Sequence, residues 1–175
     1  VKILGLLRHA KSDWGQSDKR DFDRGLNDRG RKGAEVIGEH IRAHGVAWDR
    51  LVASPAERVK RTLAEALPEL APQWDERLYL AGTDTIMTVI REAGGDGDSL
   101  LISGHNPGLG DMLFELVAPK NENALYDEAK VKFPTAAYAV FELDIEDWAD
   151  LRDGCGKLVH FARPRDLDPE LGPEY

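Results

Sequence analysis

The sequence predicts an α/β fold in three layers, α/β/α, with helices on both faces of a mainly parallel central sheet. Three apolar runs carry that expectation: "KILGLLRH" at 2–9, "DRLVASP" at 49–55 and "DSLLISGHNPG" at 98–108. Each is short, continuous and followed by a helical pattern, which is how buried parallel strands alternating with helices read. The composition agrees. With 42% hydrophobic and 31% charged residues, the 175-residue chain is long enough to bury one sizeable core without staples. A single domain spanning 1–175 is expected, with an irregular polar tail from about 163.

In chain order, the first strand ends at Arg8 and His9, and a long charged loop, "SDWGQSDKRDFDRG", follows. Asn27 is placed to cap a helix through Ala34, Ile37 and Ile41 that stops at Gly45. The second strand ends at Ser54 and Pro55. Ser54 reads as an N-cap, Pro55 as the first helical residue and Glu57 as the partner in an S-x-x-E capping box. Arg58 lies one turn further along the same side, and Arg61 four residues after Glu57 reads as a surface pair. Thr83 or Asp84 begins another helix, through Ile86 and Val89 to Gly94. The third strand leads into "GHNPG", where Pro107 can start a helix with His105 at its mouth. Two further strands, 136–144 and 157–162, belong at or near the sheet edge, and an acidic loop is expected around 119–127.

The bulk charge narrows the function. A net charge of −9 argues against nucleic acid or anionic membrane as partners, so an anionic ligand needs a locally positive pocket. No apolar run is long enough to span a bilayer, and no secretory pattern precedes the first strand, giving a cytoplasmic expectation. The lone Cys155 excludes an internal disulfide and reads as a packed residue in a Gly-rich turn. His40, His44 and His160 lack metal-ligand spacing and read as solvated or packed. The four tryptophans form no stacking series for nucleic acid.

In open α/β sheets ligands settle at the carboxyl ends of the strands. There the sequence delivers Arg8, His9, Arg58 and His105, two arginines and two histidines, beside up to two helix N-termini. That convergence suits a dianionic phosphoryl group. Rival chemistries do not fit the rows. The G-x-x-x-x-G-K-[ST] loop is absent, Phe161 stands where a cysteine-based phosphate trap needs arginine, and "DFD" at 21–23 follows a polar loop instead of a strand. No H-E-x-x-H or dense Asp/His cluster supports a metal pair, so neither metal nor cofactor is expected. Histidine remains as the nucleophile.

"LLRHAKS", "SPAERVKRT" and "GHNPG", in this order, resemble the histidine phosphatase superfamily in its phosphoglycerate mutase-like branch. "RHAKSDW", "LNDRG", "RLYLAG", "GHNPGL" and "FPTAA" together look like the SixA-type phosphohistidine phosphatases, over nearly the whole chain. The resemblance implies that His9 is the transiently phosphorylated nucleophile, that Arg8 and Arg58 bind phosphoryl oxygens, and that a protonated His105 completes the pocket. Ser12 and Asn106 are further phosphate-binding candidates. Two positions depart from the superfamily pattern: Ala10 replaces the usual glycine, and Gly15 stands where many members keep an asparagine. Glu76 in "WDERLY" lies roughly where mutase-like members keep an acid and is a candidate proton donor. Only 46 residues separate Arg58 from His105, leaving little chain for a lid. The implied substrate is a phosphorylated histidine on a protein. The alternatives are a small phosphorylated substrate or a scaffold that binds phosphate without turnover.

Overall fold

The computed structural model describes residues 1–15 and 18–172. Six strands form one sheet in the order β3-β2-β4-β1-β5-β6. They are β1 (Lys2–Arg8), β2 (Arg50–Ala53), β3 (Gln73–Trp74), β4 (Ser99–Gly104), β5 (Tyr138–Leu143) and β6 (Gly156–Ala162). The four strands from β3 to β1 run parallel, and β5 and β6 complete the sheet antiparallel. This matches the expected architecture, with β6 at the edge. The two-residue β3 was not visible in the sequence.

Alternation along the central strands divides the interior into two cores, because successive strand residues point to opposite faces. Leu4, Leu6, Val52, Leu100, Ile102, Ala139 and Phe141 face one way, and Leu7, Leu51, Ala53, Leu101, Tyr138 and Val140 the other. The second face is covered by α1 (Asp28–His44), through Ala34, Ile37 and Ile41, and by α2 (Glu57–Ala66), through Val59 and Leu63. The first is covered by α3 (Thr83–Ala93), α4 (Gly108–Leu116) and α5 (Ala124–Ala129). A strand covered on both faces must be apolar throughout, which is why the runs are continuous.

Local chemistry sets the ends of α1. The Asn27 side chain accepts from Gly30 N at 2.8 Å, and Gly45 closes the helix in the left-handed region at φ 91°. Gly30 is required by a close approach: a Cβ there would lie 2.1 Å from the Lys11 carbonyl oxygen. The start of α1 is thereby pressed against the chain leaving β1.

Four expectations need correction. The Ser54 capping box does not form, because α2 begins at Glu57 after Ala56 with no side-chain cap, and Pro55 lies outside the helix. The acidic loop around 119–127 carries a 3-10 turn at Pro119–Asn121 and most of α5, whose Asn123 cap accepts from Tyr126 N. The long loop after β1 contains a 3-10 turn, Asp21–Asp23, while residues 16 and 17 lie outside the described residues. The tail is less irregular than its prolines suggested: proline suits a first helical turn, so α6 (Pro164–Leu167) and a 3-10 turn at Pro169–Leu171 form. Residues 173–175 of that tail lie outside the described residues. Of the tryptophans, Trp148 is fully buried, whereas Trp14 and Trp74 are exposed.

Candidate active site

The backbone around His9 is pinned from four sides before any side chain acts. Arg8 N donates to Ala137 O, His9 N to Gly104 O, and Ala136 N to His9 O at 2.9 Å. Ala10 N donates to Thr62 Oγ1 at 2.8 Å, and that hydroxyl donates to the Arg58 carbonyl at 2.7 Å. Strand end and helix start are therefore tied together through Thr62. Ala10, the departure from the usual glycine, is fully buried and fits among the α1 and α2 side chains.

His9 and His105 lie with ring centroids 5.4 Å apart, tilted by 53°. His9 Nδ1 is 2.7 Å from the Ala10 carbonyl, which can only accept, so Nδ1 carries the proton and Nε2 keeps its lone pair. Burial, together with the Arg8 and Arg58 charges and His105, lowers the His9 pKa to about 3 against the opposing pull of the Ala10 carbonyl. The ring is neutral at pH 7.

His105 is fixed from the other strand end. Its Nε2 lies 2.8 Å from Ser54 Oγ, and Ser54 Oγ also accepts from Ala56 N at 3.3 Å. The Ser54 hydroxyl then donates to His105 Nε2, which puts the ring proton on Nδ1. His105 Nδ1 is buried without a hydrogen-bond partner, and so is Arg8 Nε. Burial and the two arginines lower the His105 pKa to about 4, with Asp21 opposing. Before an anion arrives the His105 ring is therefore neutral.

The two arginines are held by different partners. Arg8 Nη1 donates to Phe133 O at 3.2 Å, and its pKa is lowered by burial and by Arg58. Arg58, 5% exposed, donates to the Asp21 carbonyl at 2.8 Å and to its carboxylate at 3.0 Å. The Tyr79 hydroxyl donates to the same carboxylate, and the Tyr79 ring stands edge-on to His105 at 5.4 Å. Burial works against ionisation of Asp21, but Tyr79 and Arg58 outweigh it and hold the carboxyl below its ordinary range. Asp21 and Tyr79 were not among the expected site residues. "DFD" drew notice only as a nucleophile, and nothing local shows that its turn folds back onto Arg58.

Of the remaining candidates, Asn106 shares the Phe133 carbonyl with Arg8. Glu76 is exposed in the 3-10 turn Glu76–Leu78, next to the Asp75 that accepts from Arg77. The Asn106 amide donates to Phe133 O at 2.8 Å and accepts from Gly110 N at 3.1 Å. Ser12 is buried, bridged to Leu26, and its carbonyl accepts from Asn27. Gly15 is exposed, its N–H donating to Asp13. Among the described residues, no group of three or more His, Cys, Asp or Glu is placed to hold a metal ion, and no helix is long and apolar enough to cross a membrane.

Comparison with known proteins finds relatives in sequence and in fold. The model of the histidine phosphatase superfamily (branch 1) matches residues 4–80. An uncharacterised protein of Mycobacterium tuberculosis is 34% identical over 160 residues, covering 91% of this chain and all of the relative. One from Mycobacterium leprae is 31% identical over 162 residues with the same coverage. Among solved structures, a candidate phosphohistidine phosphatase SixA from Nakamurella multipartitia superposes with TM-score 0.81 at 29% identity, covering 93% of this chain and 96% of that one. Its counterpart from Agrobacterium tumefaciens gives 0.76 at 27% identity, covering 93% and 98%.

Proposed function

Because the chain belongs to the histidine phosphatase superfamily, we propose that it removes a phosphoryl group through a covalent intermediate on His9, and that its preferred substrate is phosphohistidine on a protein. The observation that carries this reading is the asymmetry of His9: one ring nitrogen is tied to the Ala10 carbonyl, leaving a neutral Nε2 lone pair in a pocket with two guanidinium groups.

In the first step His9 Nε2 attacks phosphorus and the bond to the leaving nitrogen or oxygen breaks. The charge on the equatorial oxygens is met by Arg8, Arg58 and the His105 Nδ1–H. The buried, unpartnered Arg8 Nε and His105 Nδ1 gain an acceptor only when an oxyanion enters, which is favourable since unpaired buried donors are costly. A phosphoryl group competes with the Asp21 carboxylate for Arg58. In the second step water attacks the phosphorus, the P–N bond to His9 breaks, and inorganic phosphate leaves with His9 neutral again.

The substrate preference follows from the acids. An alkoxide leaving group needs a proton badly, whereas the imidazole of a phosphohistidine needs less help. Here Glu76 is exposed in its turn and Asp21 is held ionised, so of the carboxyl groups described neither of these two is a ready proton donor. The structural resemblance to the two SixA candidates above 25% identity supports the same class. The test is a comparison of kcat/KM on a phosphorylated histidine-containing protein domain with para-nitrophenyl phosphate, sugar phosphates and nucleotides. The protein is expected to be the better substrate; a much larger value on any small ester overturns the preference.

A further inference from the structure

Beside Arg58 the phosphoryl pocket is edged by residues that the phosphate chemistry does not itself require. Asp21 and Phe22 of the Asp21–Asp23 turn meet Tyr79, which follows the Glu76–Leu78 turn. Asp21 accepts from Arg58 through both its carbonyl and its carboxylate, and the carboxylate also accepts from the Tyr79 hydroxyl. The other carboxylate of the turn is occupied within it, since Asp23 pairs with Arg20 at 2.8 Å. Although it is held twice, the Asp21 side chain is 43% exposed and so still reaches solvent at the rim. Phe22 stands edge-on to Tyr79 at 5.1 Å and Tyr79 edge-on to His105 at 5.4 Å, which sets a run of rings beside the carboxylate.

A phosphoryl group that meets Arg58 therefore comes to lie next to a carboxylate bound to the same guanidinium. For an ordinary phosphate ester that neighbour is unhelpful, because anion faces anion and a departing alkoxide adds a further negative charge. A phosphorylated imidazole differs, because its ring carries a second nitrogen. With that distal nitrogen protonated the ring is a cation, it can donate an N–H to a carboxylate in a charge-assisted bond, and its flat body suits aromatic neighbours. Tyr79 and Arg58 hold Asp21 ionised against the effect of its burial, and a negative group beside a ring nitrogen favours the charged ring.

We propose that Asp21, with Tyr79 and Phe22, forms a leaving-group subsite: its carboxylate accepts the N–H of the distal ring nitrogen of a phosphohistidine and keeps that nitrogen protonated. The proposal rests on the phosphatase reading and deepens it, since it makes Asp21 the residue that selects an imidazole over an alkoxide. As the substrate docks, its distal nitrogen takes a proton from solvent. His9 Nε2 then forms its bond to phosphorus, the bond from phosphorus to the substrate ring nitrogen breaks, and the electron pair of that bond stays on the ring nitrogen. The distal proton stays in place, so the leaving group is a neutral imidazole and Asp21 is still a carboxylate. No proton has to be delivered to the breaking bond.

The test uses the full chain as wild type, as Asp21→Asn and as Tyr79→Phe. Asparagine keeps the shape of the side chain and the carbonyl that accepts from Arg58, and removes the charge; Tyr79→Phe keeps the charge and removes its anchor. On a phosphohistidine peptide, Asp21→Asn is expected to lower kcat/KM about tenfold, the scale of one charge-assisted hydrogen bond, with the loss mainly in kcat. On 4-carboxyphenyl phosphate, whose leaving group carries its own carboxylate, the same change is expected to raise kcat/KM, because a like charge has gone. Tyr79→Phe is expected to move both values in the same directions by less. If both rates fall together in Asp21→Asn, Asp21 only positions Arg58 and the proposal is overturned, as it is if the peptide rate is unchanged. A second arm needs no turnover: the full chain is titrated with imidazole at about pH 6, where imidazole is largely charged, and followed by the amide resonances of residues 21–23 and 79. Binding about tenfold weaker in Asp21→Asn is expected, and equal affinity overturns the proposal. Failure of the wild type to turn over either substrate sinks the phosphatase reading, while the imidazole titration still decides the leaving-group subsite.

Discussion

His9 and His105 meet at the ends of β1 and β4, while His40 and His44 of α1 meet His160 of β6 on the flank of the sheet. In the first group each ring has one nitrogen fixed to the fold, by Ala10 O or Ser54 Oγ, and two arginines stand close enough to depress both pKa values. In the second the rings satisfy one another. His40 Nε2 and His160 Nε2 are 2.7 Å apart, and His44 stacks on His160 at 3.9 Å between centroids. Burial lowers the pKa in both regions, to about 4 for His160 as for His105, so a shifted histidine does not by itself mark the site. What separates the regions is the state of the partners: the pocket holds cations and an unpartnered buried donor, whereas His40 and His160 meet nitrogen to nitrogen and His44 stacks on them at the exposed surface.

The comparison breaks most severely at Arg58. Arg58→Gln is expected to lower kcat/KM by about 10²–10³, the range seen when one transition-state donor is removed, in steady-state assays of a phosphohistidine protein. A change below threefold would mean that Arg58 serves only Asp21. Ser54→Ala removes the hydroxyl that sets the His105 tautomer and is expected to cost about tenfold in kcat/KM, typical of a lost supporting hydrogen bond. Nitrogen chemical shifts of the ring report the tautomer directly.

Acid titration sharpens the contrast. Nuclear magnetic resonance should find His9, His105 and His160 all neutral at pH 5.5, since each folded pKa lies well below 6.5. Adding inorganic phosphate should raise the values of His9 and His105, because a neighbouring anion favours the charged ring, and leave His160 unmoved. The sign for stability is the same in both regions. Between about 6.5 and the folded values the unfolded chain binds more protons, so stability is fully present above 6.5 and is lost as pH falls toward 4 and then 3. The smallest effect is expected for His40→Gln, with kcat/KM within about twofold of wild type, as for a change distant from the chemistry.

The parts of the fold written in local pattern were legible. Continuous apolar runs gave β1, β2 and β4, and Asn27 and Gly45 bounded α1, because strand burial and helix capping are properties of neighbouring residues. The ends of those strands named Arg8, His9, Arg58 and His105, and the structure brings all four into one pocket. Ser54 was read as a cap because its spacing to Glu57 fits one; its partner is His105, 51 residues away, and only the parallel pairing of β2 with β4 brings them together. Asp21 reaches Arg58 across 37 residues and Tyr79 across 58, so neither contact leaves a local trace.

The central claim is that the His9 ring becomes covalently phosphorylated. Rapid quench of the full chain with a radiolabelled phosphohistidine protein should trap a phosphoenzyme that is stable in alkali and labile in acid, formed within the first turnover and absent from His9→Ala. A label of the same amount in His9→Ala, or turnover with no labelled enzyme at any time point, would contradict it.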